Sequence, residues 1–198
     1  MSGKFHPIAQ HFYFDCREIL LENVHINNPG SNNAMLNRYS SQIAIFGKEF
    51  QEKLLNTKCF LVGSGALGCE YLKNFAMLGL CCGKNGLLTV TDMDTIEKSN
   101  LNRQFLFRSW DIQKSKAEVA SRAAKKMNPE INVQPNLNRV SKETAHIYNE
   151  SFFNSLDVVC NALDNVAARL YVDLCCVEFK KPLIESGTLG SQGNVQGI

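Results

Sequence analysis

The clearest chemical feature of the sequence is a glycine-rich turn at residues 63–68. An apolar, strand-like run that ends at Val62 leads into Gly63-Ser64-Gly65-Ala66-Leu67-Gly68, and a helix-like segment follows directly. Glycines at this Gly-x-Gly-x-x-Gly spacing allow a tight turn in which the first N–H groups of a helix point at a bound phosphate. Taken alone, the motif also fits a simple strand-to-helix turn, so its chemistry depends on the residues downstream.

A carboxylate follows the turn at about the distance along the chain expected of a ribose-binding acid. Asp92 comes directly after the second apolar run, Leu87–Thr91. In a nucleotide-binding unit of this kind, such a carboxylate accepts hydrogen bonds from ribose hydroxyls. Asp94 is a second candidate for the same role. The alternative is that Asp92 belongs to a helix cap or an ordinary loop.

Cationic and polar side chains come next along the chain. In the segment 99–107, Arg103 offers a planar fork that matches phosphate oxygens, and Lys116, near the start of the next predicted helix, offers a compact charge. A dinucleotide pyrophosphate is largely satisfied by the helix N-terminus, whereas a triphosphate needs further cations. The two side chains therefore favour a nucleoside triphosphate. For Lys116 taken alone, a solvated helix face is the alternative.

A third polar cluster, Asn161-Ala162-Leu163-Asp164-Asn165, follows the fourth predicted strand. In open parallel sheets, ligands bind at the carboxyl ends of the strands. A carboxylate there, such as that of Asp164, can hold Mg²⁺ together with substrate phosphates. The alternative is that Asp164 or Asn165 caps the next helix, and one residue can do each.

These side chains need a scaffold of alternating strands and helices, and the sequence predicts one. The predicted strands are Cys59–Val62, Leu87–Thr91, Ile131–Gln134, Asp157–Asn161 and Pro182–Glu185; the predicted helices are 42–55, Ala66–Leu78, Gln113–Met127, Lys142–Leu156 with a break midway, and Val166 to about Lys180. The alternation predicts an α/β fold with a Rossmann-like, mostly parallel sheet and helices on both faces. Residues 193–196 resemble the start of another strand, so we expect the domain to be truncated at its C-terminal end.

The first 36 residues differ from the rest in composition. An aromatic patch at 11–15 is followed by an Asn-rich, Pro-Gly-containing stretch at 27–33. We therefore expect residues 1–36 to be the tail of a preceding element plus a polar linker, and residues 37–198 to be an incomplete nucleotide-binding domain.

Composition narrows the choice of partners and compartment. The chain has 198 residues, 44% hydrophobic and 20% charged, with a net charge of +2, which argues for neither a nucleic-acid nor a membrane partner. No apolar run approaches the ~20 residues of a membrane span, and no signal-peptide pattern opens the chain. The eight cysteines contain no C-x-x-C, so zinc is unsupported and free thiols in a reducing compartment are expected. We expect a cytoplasmic and nuclear location.

Together, these motifs resemble the second, active adenylation domain of the ubiquitin-activating enzyme family. The resemblance is carried, in order, by Arg38-Tyr39-Ser40-Ser41-Gln42, the 63–68 turn, Asp92–Ile96, Ser99–Phe107, Ala162–Asn165 and Glu185–Thr188, and it covers nearly the whole chain. The segment His11–Asp15 is similar to the one that precedes the active half of the ubiquitin-specific members, which favours ubiquitin as the substrate.

The resemblance implies a reaction with ATP and Mg²⁺, in which the C-terminal carboxylate of ubiquitin attacks the α-phosphate to give an acyl adenylate and pyrophosphate. A thioester with a cysteine follows. The implied nucleotide contacts are Gly63, Gly65, Ala66 and Gly68, with Asp92 on the ribose and Asp94 beside it; Asn100, Arg103, Gln104 and Lys116 on the phosphates; Asp164 on Mg²⁺; and Asn165 near the nucleotide. Within this set, Arg103 and Lys116 are the expected catalytic cations, since catalysis here is mostly positioning and charge stabilisation.

The sequence departs from the family pattern at one position and lacks one expected residue. Homodimeric bacterial relatives carry Arg-Tyr-x-Arg-Gln, whose second arginine reaches into the partner's ATP site, and Ser41 stands at that position here. By the resemblance, the inactive adenylation half supplies this arginine. The thioester cysteine lies further downstream in the family, and none of the eight cysteines matches it. Ubiquitin-conjugating enzymes are implied partners through other domains.

Three alternatives remain open on the sequence alone. A lone glycine turn also fits a nucleotide-dependent oxidoreductase, although Arg103, Lys116 and Asp164 argue against that class. The modifier could be another ubiquitin-like protein. A domain that keeps the fold for assembly only, without turnover, is the third alternative.

Overall fold

The computed structural model describes residues 37–189 and 192–198. Within them, residues 49–198 form one compact unit, and the described residues before Glu49 belong to another. The predicted tail and linker at residues 1–36 lie outside the described residues, so the domain division stays a prediction.

The described chain forms six helices and six strands. In order they are α1 (Ser40–Phe46), α2 (Lys48–Asn56), β1 (Lys58–Val62), α3 (Ala66–Leu78), β2 (Leu87–Thr91), α4 (Lys116–Met127), β3 (Val133–Asn136), α5 (Glu150–Asn154), β4 (Val158–Asn161), α6 (Val166–Glu178), β5 (Leu183–Leu189) and β6 (Gln192–Gly197). Short 3₁₀ turns occupy Lys98–Asn100, Ser109–Asp111 and Lys142–Thr144. Among these residues, no helix combines the length and the apolar character that crossing a membrane requires.

The strands form one sheet in the order β3-β2-β1-β4-β5-β6. The first five run parallel, and β6 pairs antiparallel with β5. The predicted Rossmann-like, mostly parallel sheet is therefore confirmed. The residues 193–196 that resembled a strand lie within β6, which pairs along β5 from Ile184 to Leu189.

Alternating side chains of β1 show that helices cover both faces of the sheet. Cys59 and Leu61 enter one buried cluster, which contains residues of α3 and α4, whereas Phe60 and Val62 enter a second, with residues of α5 and α6. A strand buried on both faces carries a continuous apolar run, as this one does. Phe60 is fully buried among aromatic rings, with the Phe152 ring centroid 4.9 Å away in an edge-on arrangement.

Three predicted helices differ from the structure. The predicted helix 42–55 is two helices, because Gly47 has φ +85° and ends α1. Helix α4 begins at Lys116 rather than at residue 113, because Gln113 has φ +70° and Ser115 caps the helix by accepting a hydrogen bond from the Glu118 N–H. The segment 142–156 is largely irregular, with one 3₁₀ turn and the short α5.

Strand β3 is also displaced, by two residues toward the C-terminus. It contains Pro135, which cannot donate to a ladder hydrogen bond. The strand order places β3 at the edge of the sheet, where a proline is tolerated. The predicted strand Ile131–Gln134 began at Ile131, which instead packs in the first buried cluster just before the strand begins.

Candidate functional site

The strand order creates a switch point between β1 and β4, where ligands bind in open parallel sheets. The chain leaves β1 toward β2 on one side, whereas β4 continues the sheet on the other. Three predicted segments follow neighbouring strands at this carboxyl edge: the turn 63–68 after β1, Asp92 after β2 and the loop 162–165 after β4. The fold therefore brings the three sequence motifs to one edge.

The three glycines of the turn have different physical reasons for being glycine. Gly63 has φ +99°, and a Cβ on it would lie 2.7 Å from the carbonyl oxygen of Ala162. A Cβ on Gly68 would lie 2.3 Å from the carbonyl oxygen of Gly63, so the start of α3 packs directly on the turn. At Gly65, by contrast, the nearest atom to such a Cβ is the Gln104 Nε2, 3.9 Å away. Gly63 and Gly68 serve the fold, while Gly65 leaves space above the turn.

Asp92 accepts three hydrogen bonds, two of them from Ser64 in this turn. Its Oδ2 accepts from the backbone N–H of Ser64 at 2.8 Å and from the Ser64 hydroxyl at 3.0 Å, and its Oδ1 accepts from the Asp94 N–H at 2.9 Å. A carboxylate has about four acceptor sites, so about one remains for a ligand hydroxyl. Asp92 is thus held in a single orientation beside the glycine turn, as a ribose acceptor would need to be.

Asn100 supports the turn that carries the predicted phosphate ligands. Its Oδ1 accepts a hydrogen bond from the Glu97 N–H at 3.0 Å, and its backbone oxygen accepts from the N–H groups of Arg103 and Gln104. The side chain is buried. Asn100 therefore organises the 97–104 segment, whatever contact its amide nitrogen makes with a ligand.

Arg103 and Gln104 occupy different environments. Arg103 is exposed, and its Nη1 donates to the Ser99 carbonyl and to Asn102 Oδ1, both at 3.1 Å, which leaves its Nε and Nη2 without an acceptor among the described residues. Gln104 is buried, and within the described part of the chain no group donates to its Oε1. A buried acceptor left in this way costs roughly 1–3 kcal/mol, which a ligand donor would offset.

Lys116 is placed by a short backbone pairing between residues 94–96 and 113–116. The Ile96 N–H donates to the Lys114 carbonyl at 2.9 Å, and the Lys116 N–H donates to the Asp94 carbonyl at 3.0 Å. The Lys116 Nζ then lies 2.8 Å from Asp94 Oδ2, with only 10% of the lysine side chain exposed. The alternative of a solvated helix face is wrong for Lys116, which is a buried, ion-paired cation.

In the loop after β4, helix capping and possession of a carboxylate available for a cation fall to different residues. Asn165 Oδ1 accepts hydrogen bonds from the N–H groups of Ala167 and Ala168, at 2.9 and 3.2 Å, and so caps α6. Asp164 is exposed, and none of the described residues donates a hydrogen bond to it. Asp164 is therefore the carboxylate that remains available for a cation. The described residues contain no cluster of three or more metal-ligating side chains, which fits Mg²⁺ held by one carboxylate with water and substrate oxygens as its other ligands.

The structure gives a part in the site edge to three residues that received no individual role from the sequence. Asn161 was named only within the polar cluster 161–165, Glu185 only within the segment Glu185–Thr188, and Arg169 not at all. Glu185, near the start of β5, accepts from Asn161 Nδ2 at 2.7 Å and from Arg169 Nε at 2.5 Å. Periodicity and spacing gave no signal for this network, because its members lie on three different elements. Only the position of Asn161 at a strand end pointed to the edge.

The cysteines of the described chain form no disulfides, and most of them are buried. All seven described cysteines are reduced, and six of them are buried. Burial raises the pKa of Cys69 to about 11 and that of Cys81 to about 12. Cys59 and Cys160 lie side by side on β1 and β4 with their Sγ atoms 3.8 Å apart, and their hydrogen bond, with burial, raises the pKa of Cys59. Because the pKa of each of Cys59, Cys69 and Cys81 is raised, none of these three has the lowered pKa of a reactive nucleophile.

Comparison with known proteins agrees with this arrangement. The protein-family model described as "ThiF family" matches residues 39–198. The chain is 57% identical over 197 residues to "Ubiquitin-like modifier-activating enzyme 1" of Homo sapiens and of Dictyostelium discoideum, and 54% identical over 198 residues to "Ubiquitin-activating enzyme E1 1" of Arabidopsis thaliana. Each match covers 100% of this chain but only 18–19% of the relative, so the chain spans about a fifth of the length of these relatives. Because the family match takes in the glycine turn, the Asp92 segment and the loop after β4, the chain belongs to the ThiF family.

Proposed function

We propose that this chain binds ATP with Mg²⁺ and forms most of a site at which the C-terminal carboxylate of ubiquitin is adenylated. The observation that carries the proposal is the space left at Gly65, where a Cβ would meet only the buried amide of Gln104. That space lies over a helix N-terminus and beside Asp92, which is locked onto the same turn through Ser64. A phosphate over the turn and a ribose on Asp92 fit this arrangement.

The residues also fit the charge that a triphosphate brings. Lys116 supplies a preorganised cation, and Arg103 keeps two guanidinium nitrogens available for an anion. Asp164 would hold Mg²⁺ through its carboxylate, with substrate phosphates completing the coordination. When bound, the ion would neutralise phosphate charge and so ease the approach of an anionic nucleophile.

The proposed reaction joins a carboxylate oxygen to the α-phosphorus and breaks the bond to the oxygen that bridges to the β-phosphorus. The products are an acyl adenylate and pyrophosphate, and no oxidant or reductant is needed. The chain's own residues act by orientation and charge: the turn and Asp92 hold the nucleotide, and Lys116 and Arg103 face the phosphates. Losing one such preorganised group typically costs ~10²–10³ in rate.

A further arginine is proposed to come from an inactive adenylation half, because Ser41 stands where homodimeric relatives are expected to carry one. Ser41 is exposed in α1 and has no charge to offer. Without the added arginine, we expect weak turnover at best from this chain by itself. The relatives' printed names support ubiquitin or a ubiquitin-like protein as the modifier. Ubiquitin-conjugating enzymes would then bind through other regions.

Titration calorimetry of the 198-residue chain with ATP tests the proposal, in the presence of Mg²⁺ and in EDTA. We expect saturable binding of ATP that is tighter with Mg²⁺, and no comparable binding of NADH. Preference for NADH would instead favour an oxidoreductase, and failure to bind either nucleotide would favour a domain that serves assembly only.

A further inference from the structure

A single carboxylate ties together the two ends of the loop that carries Asp164. Glu185 Oε2 accepts from the side-chain amide of Asn161, the last residue of β4, at 2.7 Å. Glu185 Oε1 accepts from Arg169, near the start of α6, with both Nε and Nη2 at 2.5 Å. The loop 162–165 lies between these two anchors, so its ends are fixed to one point on β5.

The surroundings are shaped to hold this arrangement. Gly187, two residues further along β5, has no side chain under the guanidinium, and a Cβ there would lie 2.9 Å from both Nη1 and Nη2 of Arg169. The Asn161 side chain is fully buried, and its Oδ1 has no donor among the described residues. Among the described residues, its side-chain amide is therefore held by Glu185 alone.

Stability gives little reason for such a network. The side chains of Arg169 and Glu185 are only 30% and 16% exposed. The attraction between two such charges little exceeds the cost of removing them from water, and apolar side chains of similar volume often stabilise a fold equally well or better. Arginine in the first turns of a helix also opposes the helix dipole. What the network does is join the residues on either side of the loop through one carboxylate. It adds to two backbone bonds at the ends of the loop, from the Arg169 N–H to the Asn165 carbonyl and from the Ala162 N–H to the Val62 carbonyl.

We propose that Arg169, Glu185 and Asn161 are positioning residues that hold the loop 162–165 so that Asp164 projects toward the Mg²⁺ of bound ATP. The role of Asp164 rests on the proposed function. The three residues themselves touch neither nucleotide nor metal; they act through the loop, as outer residues around metal ligands generally do, where a change typically costs 10–100-fold in metal affinity or activity.

Two variants disturb the network in different ways. Arg169→Met removes the cation, whereas Gly187→Ala keeps every charged group and pushes the guanidinium away from its seat. Gly193→Ala is the matched control, since it adds the same methyl group to the neighbouring strand β6 with nothing within 4 Å of it. If Arg169→Met unfolds the chain, Gly187→Ala still tests the idea, because only the end of a flexible side chain has to move.

Two measurements on the full chain separate this inference from the proposed function. The first is amide hydrogen exchange at Ala167 and Ala168, whose N–H groups are protected by Asn165 only when the loop is in place. We expect it to quicken about fivefold or more in both variants, in line with the ~1 kcal/mol of a helix cap. The second is the gain in ATP affinity on adding Mg²⁺, which we expect to shrink about 10–100-fold.

Unchanged exchange and an unchanged Mg²⁺ effect, relative to Gly193→Ala, would overturn the inference. Faster exchange with a full Mg²⁺ effect would also overturn it, because the loop would then move without consequence for the metal. If the unaltered chain shows no ATP binding at all, the proposed function fails, and the exchange rates alone decide whether the network holds the loop.

Discussion

The Nζ atom of Lys116 lies 2.8 Å from Oδ2 of Asp94, and the backbone N–H of Lys116 donates to the carbonyl oxygen of the same aspartate at 3.0 Å. The aspartate side chain is 53% exposed and the lysine side chain 10%, so the carboxylate faces solvent while the cation is held beneath it. A lysine in the first turn of α4 opposes the helix dipole by ~0.3–1 kcal/mol, which Asp94 offsets. The pair keeps a cation in fixed position beside the Asp92 loop.

Replacing Lys116 by methionine should weaken ATP binding by about 10–100-fold, the equivalent of one charged hydrogen bond. The apolar stem stays buried, and Asp94 can hydrate, so we expect the chain to remain folded. Titration calorimetry with ATP and Mg²⁺ measures the effect. Lys114→Met is the control, because Lys114 is a half-exposed lysine paired with Asp111. Equal affinities in the two variants would remove Lys116 from the nucleotide site.

The three glycines of the turn should respond differently to alanine. Gly63→Ala and Gly68→Ala should destabilise the chain by about 1–3 kcal/mol or more, because each new Cβ meets backbone within 3 Å. Gly65→Ala should keep normal stability but lose about tenfold or more in ATP affinity, since its Cβ would enter the space proposed for phosphate. Urea unfolding and calorimetry on the same samples check both effects. Full ATP affinity in folded Gly65→Ala would place the nucleotide elsewhere.

Much of the sheet could be predicted from the sequence, because strands buried on both faces carry continuous apolar runs. β1 and β2 were predicted to within a residue for that reason, and α3 was predicted exactly from its glycine turn and the closing Gly79. Prediction was less accurate where one residue's φ overrides the pattern. Apolar spacing continues across Gly47, so only the +85° of that glycine reveals that the predicted helix is two.

The sequence was enough to predict which backbone segments lie at the site, but not which side chains contact one another there. The carboxyl ends of parallel strands meet at one edge, which is why Asp92 and Asp164 could be assigned to the same edge. The side-chain hydrogen bonds could not be predicted in this way. Asp94 and Lys116 are 22 residues apart, and Asn161 and Glu185 are 24 residues apart on separate strands. No periodicity links such residues, so their contacts emerge only from the folded structure.

The buried thiol of Cys69 should make the chain sensitive to alkali. Burial raises the Cys69 pKa from about 9 in an exposed thiol to about 11 in the folded chain, so unfolding releases a proton between these pH values. The contribution of the buried Cys69 thiol to the free energy of unfolding is fully present below pH 9. It falls by about 1.4 kcal/mol per pH unit between pH 9 and pH 11. In Cys69→Ala, the free energy of unfolding should fall less steeply between pH 9 and 11 by that amount. Urea titrations at pH 7.5 and 10 make the comparison, and equal slopes in both proteins would contradict the buried state of this thiol.

Asp164 and Asn165 are neighbours that should separate binding from stability. Asn165 caps α6 through two hydrogen bonds, so Asn165→Ala should lower the free energy of unfolding by about 0.5–2 kcal/mol. Asp164 is exposed and receives no hydrogen bond from any described residue, so Asp164→Ala should change stability by less than about 0.5 kcal/mol. Its effect should fall on the metal instead: the gain in ATP affinity on adding Mg²⁺ should largely disappear, while affinity in EDTA stays the same.

Urea unfolding and calorimetry with and without Mg²⁺, applied to both variants, give four independent outcomes. A full Mg²⁺ effect in Asp164→Ala would rule out this carboxylate as the metal ligand, whatever happens to stability. A large loss of stability in Asp164→Ala would show instead that the residue holds the loop. Because Asn165→Ala also alters the loop 162–165, it is a control for a general loosening of that loop. A loss of the Mg²⁺ effect in Asp164→Ala well beyond that in Asn165→Ala would assign the metal to the Asp164 carboxylate.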